Sequence, residues 1–189
     1  MATIAHGPLT THAGTTAGTT AATAETTAEK ATRYLFAGLR LALGWTFLWA
    51  FLDKMFGLGH ETAAKAAWIN GGHPTEGFLK FAATGPFKGI YNDIAGATWA
   101  DWLFMLGLLG IGLALILGVA MRIAAASGAT LLVLMWTAVL PPENNLFMDD
   151  HLIYAAILVV LALVGAGSTL GLGRYWAKLP IVRTHGWLK

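Results

Sequence analysis

The sequence contains no cysteine and few charged residues. The absence of cysteine excludes disulfide bonds, thiolate metal sites, iron–sulfur clusters and a catalytic thiol. Charged residues make up only 12% of the 189 residues, whereas a soluble domain has about 25%. Hydrophobic residues make up 56%, and the mean hydropathy is +0.61. The composition therefore predicts an integral membrane protein whose length fits one bundle.

Several ligand-binding signatures are also missing. There is no GxGxxG motif, Walker A loop, HExxH or CxxCH. Transmembrane b-type haem needs paired histidines, and only His151 lies near an apolar segment. The net charge of +2 is too small to indicate a nucleic-acid partner. We therefore expect no haem, no iron–sulfur cluster and no metal, so that any redox group is diffusible or belongs to a partner.

The first 30 residues are mostly Thr, Ala and Gly. Such a segment cannot bury a core, so residues 1–30 are predicted to be a disordered tail. His6 and His12 lie in it, and we interpret them as solvated histidines rather than metal ligands. The segment 177–189 is predicted to be a basic C-terminal tail.

Long apolar segments predict an all-α, four-helix membrane bundle within residues 31–176. A single helix over 102–140 would be roughly 57 Å long, far more than one bilayer crossing. We therefore place a tight turn at Met121–Arg122, the only polar interruption there. The predicted spans are 33–56, 101–120, 123–140 and 151–170.

The segment between the first two spans is too long to be structureless. Gly71-Gly72 and Gly85-Pro86 divide it into pieces that predict short interfacial helices. We expect these helices to cover the mouth of the bundle as a lid over 71–87. A plain anchor on the membrane surface is an equally good interpretation.

The distribution of Lys and Arg predicts the orientation. With four spans, both termini and the Met121–Arg122 turn share one side, which carries Lys30, Arg33, Arg122, Arg174, Lys178, Arg183 and Lys189. The other side carries Lys54, Lys65, Lys80 and Lys88. The bias predicts a multi-pass protein of the cell membrane with both termini in the cytoplasm.

The first span has polar residues on two opposed faces. Trp45, Trp49 and Asp53 follow one face, whereas Arg40 and Lys54 lie on the other. A charge in hydrocarbon is costly, so Arg40 is expected to be shielded from lipid tails.

Polar and aromatic residues also accumulate at the outer ends of the spans. They are Trp49, Asp53, Lys54, Trp136, Asn144, Asn145, Asp149, Asp150 and His151. We expect Asp53 and His151 to reach one shared cavity beneath the lid, because a bundle gathers its helix ends in a small patch. Each residue also has a simpler interpretation. Asp149 and Asp150 suit a helix N-cap, the tryptophans suit packing or an interface belt, and Asp53, Lys54 and His151 suit the surface.

A membrane quinone is the ligand that such an aromatic-lined pocket with a few polar groups favours. Asp53, Asp149 and His151 are the candidate proton-transferring catalytic residues. Candidate quinone- or substrate-binding residues are Arg40, Trp49, Lys54, Trp136, Asn144 and Asn145. Arg40 or Lys54 would bind an anion or polarise a quinone carbonyl, and Trp49 and Trp136 would stack on the ring.

Five segments together resemble the DoxX/DoxD family. They are GLRLALGWTFLWAFLDK, GGHPTEGFL, GPF, DWLFMLGLLGIGLALILGVAMR and NNLFMDDH, and the resemblance covers roughly residues 31–176. It implies a four-helical membrane protein. DoxD-type members include subunits of an archaeal thiosulfate:quinone oxidoreductase, and other members are linked to oxidative-stress complexes.

Two functions remain open from the sequence. One is a quinone-dependent oxidoreductase subunit that oxidises thiosulfate or another small reduced sulfur compound, or passes electrons from a partner. The other is a non-catalytic anchoring or accessory subunit of a larger respiratory or oxidative-stress complex. The lipid bilayer is the expected surrounding in both, together with a partner subunit or a second copy of the chain.

Overall fold

The structure, a computed structural model, describes residues 25–188, and these contain helices and no strand. The longer helices are α1 (Thr27–Phe56), α3 (Thr98–Leu117), α4 (Met121–Ala138) and α5 (Asp150–Leu163), and the shorter ones are α2 (Lys88–Ile94), α6 (Gly173–Trp176) and α7 (Pro180–Thr184). The predicted all-α bundle is confirmed.

Helix α1 begins earlier than predicted. Thr26 and Glu29 form a reciprocal capping box, in which the Glu29 amide donates to the Thr26 hydroxyl (3.2 Å) and the Thr26 amide donates to the Glu29 carboxylate (2.8 Å). Residues 27–30 are therefore helical, which corrects the boundary of the predicted tail. The rest of that tail, residues 1–24, lies outside the described residues.

Three helices, α1, α3 and α4, are long and apolar enough to cross a membrane. Helix α5 is shorter than the predicted span 151–170, because it ends at Leu163 and Gly165 takes a left-handed conformation (φ +66°). A 3-10 turn (Ala166–Ser168) continues the chain, and Gly167 packs against Gly118 and Met121 at the start of α4. The segment 150–168 therefore follows α4 along its whole length.

The turn between α3 and α4 lies at Gly118–Ala120, a few residues before the predicted Met121–Arg122. Gly118 ends α3 with φ +71°, and Ala120 enters α4 with φ +49°. A left-handed glycine terminates a helix more effectively than a lone arginine, and Arg122 lies within the first turn of α4.

The segment 57–97, here called the lid, consists of short helical pieces as predicted. Two 3-10 turns (Ala64–Ala66 and Trp68–Asn70) end at Gly71, whose φ is +86°. A π-helical turn (Gly77–Ala82) and a 3-10 turn (Gly85–Phe87) lead into α2.

The core lies where α1 packs on α3 and α4 packs on α5. Close approach of the first pair depends on two glycines. A Cβ on Gly44 would lie 2.9 Å from Ile116, and a Cβ on Gly112 would lie 2.8 Å from the Leu48 amide nitrogen. The buried apolar side chains include Phe47, Met105, Leu108, Ile111, Leu115, Leu132, Leu158 and Leu161.

Candidate functional site

Arg40 is fully buried near one end of the bundle, here called the Arg40 end. Its guanidinium donates to the carbonyls of Leu115 and Ile116 (2.9 Å to the latter), which belong to the last turn of α3. It also donates to the carbonyls of Thr169 (3.2 Å) and Leu170 (2.8 Å). A helix leaves its last carbonyls without partners, and a cation is favourable beside them.

The predicted shielding of Arg40 from lipid is therefore confirmed. Its predicted role in quinone or anion binding remains a prediction. Among residues 25–188, the hydrogen-bond partners of its guanidinium are all backbone carbonyls. Arg40 also lies about 20 Å along α1 from Asp53, at 1.5 Å per residue. The structure does not bring Arg40 together with the other predicted site residues.

Asp53 is buried at the opposite end, here called the lid end. Its carboxylate accepts the backbone amides of His60 (3.3 Å) and Glu61 (3.0 Å), so it fixes the start of the lid. The ring of Trp49 lies edge-on to His60, with 5.1 Å between centroids. Lys54, in the last turn of α1, is partly exposed.

A second group lies in the loop before α5. The indole of Trp136 donates to the carbonyl of Phe147 (2.6 Å). Asp149 caps α5 through the Leu152 amide (3.2 Å) and also bonds the His151 imidazole (2.7 Å).

The remaining predicted residues of this loop lie at its surface. Asn144 and Asn145 are exposed, as is Asp150, whose carboxylate lies 3.5 Å from His151. The ligand atoms of Asp149, Asp150 and His151 lie within 4.8 Å of one another, a spacing that a cation could use. That no metal binds here remains a prediction.

A cavity shared by these two groups remains a prediction. Within residues 25–188, no hydrogen bond or ring contact connects Asp53 or Trp49 with Trp136 or His151. Farther along the lid, the amide of Thr84 donates to the carbonyl of Ala138 (2.8 Å) at the end of α4. The lid therefore bonds both Asp53 and α4, and its predicted position over a cavity shared by Asp53 and His151 remains a prediction.

An apolar groove of about 840 Å³ lies between α3 and α4, and the lid borders it. Lid residues Phe78, Leu79, Phe87, Ile90, Tyr91 and Ile94 line one end of it. Phe81, another apolar residue of the lid, is 78% exposed and does not line the groove. Leu103 and Leu134 line the groove and are 67% and 51% exposed, so it opens on the surface of the bundle.

Few polar groups enter this groove. The Tyr91 hydroxyl joins the lid to α4 through the Leu134 carbonyl (3.0 Å) and the Thr137 hydroxyl (2.5 Å). Ser127 and Thr130 donate back to carbonyls of α4. The groove thus combines a long apolar wall with hydroxyls near the lid, the combination that small-molecule sites commonly show.

A buried carboxylate lies directly behind this lid wall. Asp101, in the first turn of α3, is only 2% exposed. One of its oxygens accepts the amide (3.0 Å) and the hydroxyl (2.7 Å) of Thr75, which lines the groove. The other oxygen lies 2.8 Å from Nδ1 of His73. A carboxylate that orients an imidazole in this way leaves Nε2 for proton transfer.

Sequence reasoning missed this pair. His73 and Asp101 are 28 residues apart, and Asp101 was interpreted only as the start of a span. Two signals were nevertheless present: an acidic residue at the mouth of an apolar helix, and a histidine beside the Gly71-Gly72 stop. To predict that this histidine faces this carboxylate, one must know how the lid folds back.

Comparison with known proteins identifies one family. A family model described as DoxX matches residues 35–141, more than half of the chain. The match includes α1 from its third turn onward, the lid, α3 and α4, and therefore both walls of the groove and the Asp101–His73 pair. No curated protein and no solved structure matches the chain.

Proposed function

The chain belongs to the DoxX family, and on that premise we propose that this membrane protein binds a diffusible quinone in the α3–α4 groove and takes part in its reduction. The observation that carries the proposal is the groove itself, which is apolar, opens on the bundle surface and has hydroxyls at its lid end, where Thr75 bonds the Asp101 carboxylate behind the groove lining. A membrane quinone likewise combines a long apolar tail with one polar ring.

The polar ring belongs at the lid end. There the Tyr91 hydroxyl turns from the Leu134 carbonyl (3.0 Å) to donate to a quinone carbonyl oxygen, and Phe78 and Phe87 supply ring faces. The isoprenoid tail follows the apolar wall from Leu103 toward Ile111.

Reduction of a quinone to a quinol takes up two electrons and two protons. In this proposal His73, which does not line the groove, passes both protons in turn from solvent to the quinone through water, because Asp101 holds Nδ1 and the side chain is half exposed. The electrons come from thiosulfate or another small reduced sulfur compound, or from a partner protein that oxidises it.

Filling the groove tests the proposal. Gly107 lines the groove, and a Cβ on it would meet nothing within 4 Å, so Gly107→Phe places a ring in the groove. Gly110 is equally unobstructed on α3 but does not line the groove, so Gly110→Phe is the matched control. With purified protein and a short-tailed ubiquinone, the Gly107 variant should bind about tenfold more weakly or worse, a loss of about 1.4 kcal/mol. Equal affinities for the two variants would exclude the groove.

The orientation is part of the same proposal: both termini lie in the cytoplasm and the lid faces outward. The chain lacks cysteine, so Asn70→Cys and Lys189→Cys each give a single label site. An impermeant thiol reagent applied to intact cells should label the cysteine at 70 and not the one at 189. Labelling of both from the same side would contradict this topology.

An accessory role is supported by one specific observation. The loop before α5 exposes Leu146 (89%), Phe147 (57%) and Met148, an apolar tip that suits contact with a partner subunit or a second copy. Under this alternative, Leu146→Asp should release a co-purifying subunit or convert an oligomer to monomer. Quinone affinity should stay unchanged.

A further inference from the structure

A polar cavity of about 440 Å³ lies at the Arg40 end, between the start of α1 and the segment after α5. It is separate from the groove and shares no lining residue with it. Three cationic side chains line it: Arg33 from α1, Arg174 from α6 and Lys178 just beyond.

These cations have little acidic compensation. Arg33 pairs with Glu25 at 3.2 Å. Among residues 25–188, neither Arg174 nor Lys178 forms a salt bridge. With three positive charges and one negative charge, the site carries a net charge of about +2 and attracts anions.

Two donors at the cavity lack partners. The Thr169 hydroxyl is buried, in a residue only 4% exposed, and has no hydrogen-bond partner in the described part of the chain. The same holds for Nε of Arg33. Both atoms are buried beneath the cavity surface, so the side chains that a ligand reaches first are the three cations.

The backbone of this site is held in place. The carbonyls of Thr169 and Leu170 accept from Arg40, and the amide of Leu172 donates to Leu117 at the end of α3 (2.7 Å). The cavity is therefore joined to the end of α3 and to Arg40, and its Arg33 and Arg174 side chains extend from α1 and α6.

We propose that this cavity binds the phosphate of an anionic lipid headgroup. Phosphate supplies several acceptor oxygens and negative charge, which guanidinium, ammonium and hydroxyl donors together satisfy. Tyr34 (44% exposed) and Tyr175 (70% exposed) flank the site as aromatic residues do at a membrane interface. Basic pockets beside membrane helices bind lipid headgroups in this way.

The test uses the purified full chain in a zwitterionic detergent. Dioctanoyl phosphatidylglycerol, dioctanoyl phosphatidylcholine and inorganic phosphate are titrated separately, and binding is followed by native mass spectrometry and by the midpoint of thermal unfolding. Phosphatidylglycerol should bind and raise the midpoint, whereas phosphatidylcholine with the same tails should do neither.

Variants locate the binding. Arg174→Gln combined with Lys178→Gln should weaken phosphatidylglycerol binding about tenfold or more. The control Lys30→Gln with Arg183→Gln removes the same charge from the same end without touching the cavity lining, and it should keep wild-type affinity.

Titration with inorganic phosphate distinguishes a lipid headgroup from a soluble anion. Binding of inorganic phosphate with the same dependence on the variants supports the phosphate site and assigns it to a soluble anion. Binding of phosphatidylglycerol alone supports the lipid. The proposal is overturned if the Arg174/Lys178 variant binds phosphatidylglycerol like wild type, or if the control variant loses the same affinity.

Discussion

The two ends of the bundle bury ionisable side chains in different ways. At the Arg40 end, one guanidinium bonds four backbone carbonyls, and glycines close around it. At the lid end, Asp101 bonds side chains and backbone of the lid, beside an open groove. Backbone partners have no conformational freedom of their own, so we interpret the first arrangement as structural. The second leaves an imidazole available for chemistry.

The largest expected loss of stability comes from removing the buried charge at the Arg40 end. Arg40→Leu leaves four carbonyls without this donor, at a cost of about 1–3 kcal/mol for each buried unsatisfied group. We expect a loss of at least about 4 kcal/mol and little folded protein in the membrane. Thermal unfolding in detergent measures it, with membrane yield as a second readout.

Arg40→Lys sharpens the same comparison. An ammonium keeps the charge but lacks the planar fork, so the lysine variant should recover only part of the stability. Full stability of the leucine variant would show that the carbonyls do not need the guanidinium.

A smaller loss is expected at the turn beside Arg40. Gly118 has φ +71°, and a Cβ there would lie 2.6 Å from the Gly167 carbonyl oxygen. Gly118→Ala should cost about 2–3 kcal/mol, from the left-handed backbone and from crowding. Gly110→Ala, in open space on α3, should be neutral or stabilising by up to about 1 kcal/mol. Equal unfolding midpoints for these two variants would contradict the close packing of this end.

At the lid end the expected loss is smaller again. Asp101→Asn keeps the size of the side chain but weakens the bonds to Thr75 and His73, at about 1–2 kcal/mol. Because the lid is attached through these bonds, limited proteolysis should cut within 57–97 faster in this variant. Arg40→Lys should not change that rate, since it acts at the other end.

The smallest effect concerns the exposed start of α1. Thr26→Ala removes the cap of an exposed helix end and should cost about 1 kcal/mol or less. Hydrogen exchange should increase in the first turn and stay unchanged around Arg40. Increased exchange at the α3 terminus would show that the cap and the Arg40 end are coupled.

Periodicity and the cost of charge in hydrocarbon were sufficient to predict the helices and the burial of Arg40. They could not predict its partners, because backbone carbonyls carry no residue identity in a sequence. The length of α5 was overestimated because Gly165 and Gly167 were included in one apolar segment. Positive φ at a glycine is a property of the folded chain.

The candidate site was harder to predict for a different reason. Asp53, Trp49 and His151 were grouped because the predicted spans place all three at the same end of the bundle. The position of a residue along its helix gives its depth in the membrane but not the side of the bundle on which it lies. The lid begins on the Asp53 carboxylate and reaches α4 through Thr84 and Tyr91. That path depends on tertiary contacts that no local pattern reports.

The most direct test of the central claim is photoaffinity labelling with an azidoquinone, followed by peptide mapping of the cross-links. The groove predicts labels on α4, within residues 126–137, and on the lid around Phe87–Tyr91. Excess unlabelled quinone should suppress these labels, and Gly107→Phe should reduce them whereas Gly110→Phe should not. Suppressible labelling confined to the segments around Trp49 and His151, with none in the groove, would contradict the account.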